Sequence, residues 1–300
     1  MSIIENIYKL EIPKIVETNV KGYEFIASVF IAISTQQLRR VLIDFEDCIR
    51  FDGNLASALG AILDKLVSNG YEIWLTSPKS EKVRKILSMN HFLRAWKIET
   101  QIEDKEDFIP YSRFEKEDSN SFKDYIDGQL MKKKRFPIHT ALAGEKIVES
   151  IFEIYANAIM HGDTKYVYSC GEYQESNHIL NMTIVDCGIT ICENVNSFKK
   201  IKGLNCLNDV EAIIWAFEEG NTTKPETGGL GLALLKEFIK QNNGALQVVS
   251  SRGMVSIQSD KMEQNLLRTS FPGTIVNMRF NFNDKKHYYL LNEIGRNNLL

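Results

Sequence analysis

Two different rhythms run along this chain, and one sheet architecture does not satisfy both. Up to residue 98, strand-like and helical stretches alternate: 7–12, 40–45 (RVLIDF) and 72–76 (EIWLT) read as strands, and 23–34, 53–68 and 80–89 carry apolar residues at helical spacing. Strand and helix in turn predict a small α/β domain. Asn69-Gly70 supplies the stop for the second helix, and Ser80 stands where it can cap the third. From Lys146 onward the order changes to a helix reaching about Met160, strands near 165–170 and 179–185, and a loop-rich region over 192–227. A helix over 230–241 and strands near 246–250, 254–258 and 274–280 follow, with turns expected at Asn243-Gly244 and Arg252-Gly253. That order predicts an α+β layer of antiparallel strands packed on helices. The two halves share no repeat.

Between the halves the composition shifts. Residues 99–127 hold ten acidic side chains against four basic ones, and Lys132-Lys133-Lys134-Arg135 follows at once. The stretch 99–134 reads as a charged connector, its basic run a solvated partner of the acidic one. Over all 300 residues, 36 Lys+Arg face 39 Asp+Glu, a net charge of −3, so no basic excess asks for a nucleic acid. The five cysteines form no CxxC pair, which argues against a disulfide framework or a zinc knuckle and fits a reducing cytoplasm. No stretch approaches the ~18 uninterrupted apolar residues of a membrane span, so no membrane partner is expected.

Three segments of the second half carry chemistry. In KIVESIFEIYANAIMHGD, Glu149, Glu153, Asn157 and His161 recur every four residues along one side of a helix whose other side is apolar. Glu149 reads as solvated. An Asn carbonyl oxygen is a hard ligand for Mg²⁺, and a carboxylate one turn away, Glu153 before Asn157, can orient or deprotonate an attacking water. In ILNMTIVDCGIT a strand runs into Asp186 and then Gly188, where a carboxylate can accept from an exocyclic amine and a glycine lets a ring approach the backbone. In EEGNTTKPETGGLGLALLKEF, Gly228, Gly229 and Gly231 open a helix, so backbone N–H groups can reach phosphate oxygens. No G-K-[ST] follows and no strand precedes, which excludes the Walker and dinucleotide fingerprints.

Taken in order, Glu153-x-x-x-Asn157, Asp186-x-Gly188 and Thr223-Lys224 with Gly228-Gly229-Leu230-Gly231 resemble the N, G1 and G2 boxes of the GHKL ATPases, the superfamily of gyrase, heat-shock chaperones and sensor histidine kinases. The resemblance covers about residues 135–282, ends on the strand that follows Phe271-Pro-Gly-Thr274, and is nearest in phrasing to the sensor-kinase and anti-sigma serine-kinase branches. It implies a two-layer α+β sandwich with a mixed, mostly antiparallel sheet. It also implies that Asn157 coordinates Mg²⁺, Glu153 serves as general base, and Asp186 binds the adenine amine with Gly188 giving the base room and Thr274 in support. Gly228, Gly229 and Gly231 would contact phosphates, with Thr223 and Lys224 in the lid. Cys187 and Ile189-Thr190 depart from the family's usual Asn and second glycine.

The first half, about residues 5–98, resembles a STAS domain in its strand ending at Asp44, its turn at Asp52-Gly53-Asn54 and the helix that follows. Gly53 and Asn54 occupy the positions where that family carries a phosphorylated hydroxyl, and Ser57 is the nearest alternative. The expected organisation is therefore a STAS-like α/β domain (1–98), a connector (99–134), a GHKL-type ATP-binding domain (135–284) and a C-terminal extension (285–300). The expected function is Mg²⁺-dependent ATP binding and hydrolysis that controls association with a protein partner or a second copy. Protein-serine/threonine kinase action on a STAS partner, and a non-catalytic adaptor, are the alternatives.

Overall fold

The computed structural model describes residues 6–100, 108–133, 136–218, 221 and 230–294. The N-terminal elements are β1 (Tyr8–Glu11), β2 (Ile15–Val16), α1 (Val20–Ser34), β3 (Arg40–Asp44), β4 (Arg50–Phe51), α2 (Ala56–Ser68), β5 (Glu72–Leu75), α3 (Glu81–Met89) and α4 (Phe92–Ala95). Strands β1, β3 and β5 form a parallel sheet in that spatial order, and β2 pairs with β4, also in parallel. Local chemistry sets the boundaries. The Asn19 side chain accepts from the Gly22 N–H at 3.1 Å to start α1, Ser80 caps α3, and Gly70 leaves α2 at φ 84°. Every residue from Ala56 to Leu63 is buried, so α2 has neighbours all round.

The remaining elements are β6 (Phe108–Phe114), α5 (Ser119–Ile126), α6 (Ala141–His161), β7 (Val167–Gln174), β8 (Ile179–Asp186), α7 (Ile191–Ile201), α8 (Asp209–Phe217), α9 (Leu230–Gln241), β9 (Ala245–Gln258), β10 (Lys261–Asn281) and α10 (Leu291–Ile294). Five strands make one sheet, ordered β6-β7-β8-β10-β9. Each of its pairings is antiparallel, where a mixed sheet was expected. The molecule is thus a mixed α/β architecture in which parallel and antiparallel sheets pack against helices. Among the described residues no helix is long and apolar enough to cross a membrane.

Several expectations give way here. Within the charged stretch read as a connector, β6 is the edge strand of the large sheet, and Phe114, Phe122 and Tyr125 pack edge-on as part of its core. A short apolar run, Phe108-Ile109 to Phe114, between two acidic stretches was enough to hold an element. The region 192–227, read as loop-rich, contains α7 and α8, each started by a reciprocal capping box, Thr190 with Glu193 and Asn208 with Glu211. No turn occurs at Arg252-Gly253. Strand β9 runs through it with Ser251 at φ 53°, and Gly253 is needed because a Cβ there would lie 2.7 Å from the Asp209 carbonyl oxygen of α8. The hairpin turns instead at Ser259 (φ 52°), and β10 extends back to Lys261. The C-terminal segment packs on the domain: Tyr288 is buried against Phe238, and the Thr140 hydroxyl that caps α6 also donates to Glu293 at 2.8 Å.

The large sheet divides two apolar cores. On one face Phe122, Ile147, Ile151, Ile154, Leu235 and Phe238 of α5, α6 and α9 bury Ile184, Val248, Val276 and Met278. On the other face α1 and α2 of the N-terminal unit share a core with Tyr168, Cys170, Val185, Val249 and Ile275. Residue 98 therefore separates two sets of elements but not two cores. The side-chain alternation of a strand does the sorting: on β8, Ile184 and Asp186 face α6 while Thr183 and Val185 face α2.

Candidate functional site

The site lies on the α6 face, between α6, the end of β8, the middle of β10, and the pair α7 and α8. Helix α6 begins on Thr140, whose hydroxyl accepts from the Ala143 N–H at 3.2 Å. Its buried residues, Ile147, Ile151, Ile154, Tyr155 and Ala158, turn Glu153 and Asn157 to the adjoining stripe. Both line a cavity of about 170 Å³, with Asp186 and Thr274 on the sheet side and Ile154, Ala158, Ile184, Val248 and Val276 as apolar walls. Four sequence-predicted residues from three separate segments thus converge on one cavity: Glu153, Asn157, Asp186 and Thr274.

Asp186 ends β8 and is 5% exposed. One carboxyl oxygen accepts from the Gly188 N–H at 2.9 Å. Burial raises its pKa to about 7, opposed by that hydrogen bond and by the Lys65 charge. A half-titrated acid at the polar end of an apolar cavity suits a planar ring that presents an N–H donor.

Gly188 serves differently from the expectation. It does not line the cavity: a Cβ there would lie 1.8 Å from the Gly162 carbonyl oxygen, and the Ile189 N–H donates to that same oxygen at 2.6 Å. The glycine lets the turn after β8 dock on the end of α6, and so shapes the wall. Thr274 sits opposite Asp186 in the β8–β10 register, and its hydroxyl is 3.0 Å from that of Ser250. Ser250 also accepts from the Ile191 N–H at 2.9 Å and donates to the Gly273 carbonyl at 3.0 Å, tying α7 to the sheet. Gly231 stands in the first turn of α9. Thr223, Lys224, Gly228 and Gly229 lie outside the described residues.

Sequence reasoning missed the far wall. Thr190, Asn194, Val195, Trp215, Phe217 and Asn221 also line the cavity, and the Asn221 amide donates to the Trp215 carbonyl at 3.0 Å. The usable signals were the Thr190-x-x-Glu193 and Asn208-x-x-Glu211 capping boxes, which mark helices where a loop was expected. Glu193 is held below the usual carboxylate range by accepting from the Thr190 N–H and hydroxyl.

The turn Asp52-Gly53-Asn54 lies on the opposite face, enclosed against the sheet. The Gly53 N–H donates to Glu172 at 2.6 Å, and the buried Asn54 amide donates to Thr183 at 3.0 Å and Asn277 at 3.1 Å. Ser57 is fully buried and donates to the Asn54 carbonyl at 2.8 Å, so a phosphoryl group does not fit there in this arrangement.

Among the described residues no group of three or more His, Cys, Asp or Glu side chains is placed to hold a metal. No protein-family model matches the chain, and no curated protein matches it.

Proposed function

We propose that this chain is a Mg²⁺-dependent ATP-binding regulatory protein of the GHKL type, with a STAS-like N-terminal unit docked on the back of its sheet. The observation that carries the reading is the convergence of Glu153, Asn157, Asp186 and Thr274 on one apolar cavity. In this reading Asp186 accepts from the exocyclic amine of adenine, and the apolar walls hold the ring. The resemblance assigns the phosphates to Gly228, Gly229 and Gly231 and the lid to Thr223 and Lys224, of which all but Gly231 lie outside the described residues. The Asn157 carboxamide oxygen is a hard donor that suits Mg²⁺, with Glu153 one turn away on α6 left to act on water. Such an ion keeps several waters and takes its other oxygens from phosphates. When bound, Mg²⁺ supplies charge neutralisation at the phosphates. Glu153 orients the attacking water and accepts its proton.

Nucleotide binding would then set association with a protein partner or a second copy. The five cysteines are free, which fits a reducing, cytoplasmic setting. Transfer to a separate STAS partner is the alternative for the same site, and transfer to Ser57 of the same chain is disfavoured by its burial. Calorimetric titration of ATP with and without Mg²⁺, on wild type and Asp186→Asn, tests the reading. Saturable binding weakened at least about tenfold in the variant is expected, since a hydrogen bond to a charged group contributes ~1.5–3 kcal/mol. Folded wild type that binds no ATP overturns it. Phosphate release from the same samples then distinguishes hydrolysis from binding alone, and label on an added STAS domain marks a kinase.

A further inference from the structure

The turn that carries Asp186 is held from outside its own domain. Lys65, near the C-terminal end of α2, reaches past the edge of the apolar interface and donates from Nζ to the Cys187 carbonyl at 2.7 Å. That carbonyl follows Asp186 directly, at the point where β8 has ended and the chain turns back so that the Gly188 N–H can meet the Asp186 carboxylate. A charge-assisted hydrogen bond fixes the peptide plane between the ligand-facing acid and the glycine that orients it. The ammonium also sits 5.8 Å from the Phe30 ring of α1, so α1 and α2 both position it. Its neighbour Asp64 is engaged elsewhere, by Arg113 at 3.1 Å and the Tyr168 hydroxyl at 3.0 Å, which leaves Lys65 directed at the turn.

We propose that Lys65 is a positioning residue of the Asp186 site, through which the N-terminal unit holds the ligand-facing turn in its working conformation. Loss of docking at this corner would loosen the turn and weaken the ligand, and ligand binding would in turn tighten docking, by reciprocal linkage. The identity of the ligand rests on the nucleotide reading above; the positioning role does not.

Among the described residues, the charged and titratable groups around Asp186 are Lys65 and Asp64 from α2, Cys187 on the turn, Glu193 at the start of α7 and Glu153 of α6 across the cavity. Removing Lys65 takes away the cation that, among the described residues, opposes the effect of burial on Asp186, so the midpoint of Asp186 is expected to rise. Carboxyl ¹³C titration of the full-length, ligand-free protein, with Asp186 assigned through Asp186→Asn, reads this directly. An upward shift of about one pH unit is expected in Lys65→Met and little shift in Lys65→Arg, the size usual for loss of a nearby opposite charge. Calorimetry on the same proteins is expected to show ATP bound about tenfold more weakly by Lys65→Met and close to wild type by Lys65→Arg. Should Lys65→Met fail to fold, Lys65→Gln removes the charge while keeping a donor and gives the same titration result. An Asp186 midpoint unmoved in the neutral variant overturns the proposal whatever ATP does. A shifted midpoint in a protein whose wild type binds no ATP sustains Lys65 and sinks the nucleotide reading instead.

Discussion

Polar side chains project from both faces of the five-stranded sheet, and their surroundings differ. On the face toward α1 and α2, Thr183, Asn277 and Gln247 form a row across β8, β10 and β9, joined by Asn54, Thr18 and Tyr23 from the N-terminal unit through hydrogen bonds of 2.8–3.1 Å. On the face toward α6, Asp186, Asn157, Glu153 and Thr190 border a cavity with apolar walls. The first set satisfies itself within the chain and fixes one docking geometry; the second borders space that a ligand can fill. Buried polarity is therefore read by where its partners lie, not by its amount.

The largest effect is expected where the first set is broken. Asn54→Leu strands the Thr18 hydroxyl in a dry interface and takes one donor from each of Thr183 and Asn277, which keep their bond to one another at 2.8 Å, and a loss of about 4 kcal/mol is expected from one unsatisfied group at ~1–3 kcal/mol and two lost hydrogen bonds at ~0.5–1.5 kcal/mol each. Urea unfolding measures it. Replacing Thr18 by Val in the same protein should return the part due to the unsatisfied group, because the hydroxyl is then removed together with its partner. A single variant within about 1 kcal/mol of wild type would mean that the network does not hold the two units together.

On the other face the equivalent break is steric. In Gly188→Ala the new methyl meets the Gly162 carbonyl oxygen at 1.8 Å, so either the turn or the end of α6 must shift. About 2–3 kcal/mol of destabilisation is expected, the upper range for overpacking, together with loss of ATP binding as Asp186 is displaced. Retained ATP affinity in a folded Gly188→Ala protein would separate the turn from the ligand.

These two positions also mark what the sequence made legible. The α/β rhythm before residue 98, the helix through Glu153 and Asn157 and the strand into Asp186 followed from periodicity, because each element buries one stripe or one face. The docking of the two halves did not. Asn54 was legible as a turn residue, but its bonds reach Thr183 and Asn277, more than a hundred residues away, and no local pattern encodes such a pairing. Gly188 was expected to make room for a ring, whereas the nearest obstacle to a side chain is the backbone of Gly162, which only tertiary packing brings near. Strand β6 was hidden by the acidic residues that flank it in sequence, whose charge dominates the composition of the stretch although Ile109 and Phe114 enter one core and Tyr111 the other.

The two faces also titrate, each through one buried acid. Burial raises Glu172, at the interface, from 4.5 to about 7, and Asp186, at the cavity, from 3.8 to about 7. An acid whose folded pKa lies above its unfolded value contributes stability that is complete below the unfolded value and is lost as pH rises through the folded one. Unfolding midpoints should therefore fall between about pH 4 and pH 7. Glu172→Gln and Asp186→Asn should each flatten part of that slope, and a slope unchanged in both would show that neither acid is perturbed. ATP distinguishes the two, because an amine donor favours the ionised form of Asp186 and leaves Glu172 alone. Affinity is expected to rise with pH through about 7 in wild type and in Glu172→Gln, and to lose that dependence in Asp186→Asn.

The smallest expected effect gives the finest discrimination. Thr274→Val deletes one hydroxyl of the cavity lining, whose partner Ser250 keeps its bonds to the Ile191 N–H and the Gly273 carbonyl. Nothing is stranded, so stability should change by only about 0.5 kcal/mol. If that hydroxyl supports the ligand at Asp186, its neighbour across the β8–β10 ladder, ATP should bind about threefold more weakly, within the range of one modest hydrogen bond. Thr183→Val is the matched substitution on the other face, three residues back along β8, and should do the reverse: weaken folding through its lost bonds to Asn54 and Asn277 while leaving ATP affinity near wild type. The pair measured together asks whether one strand serves docking with one set of alternate residues and ligand with the other. Equal effects of both substitutions on ATP would mean that docking and ligand binding are a single event.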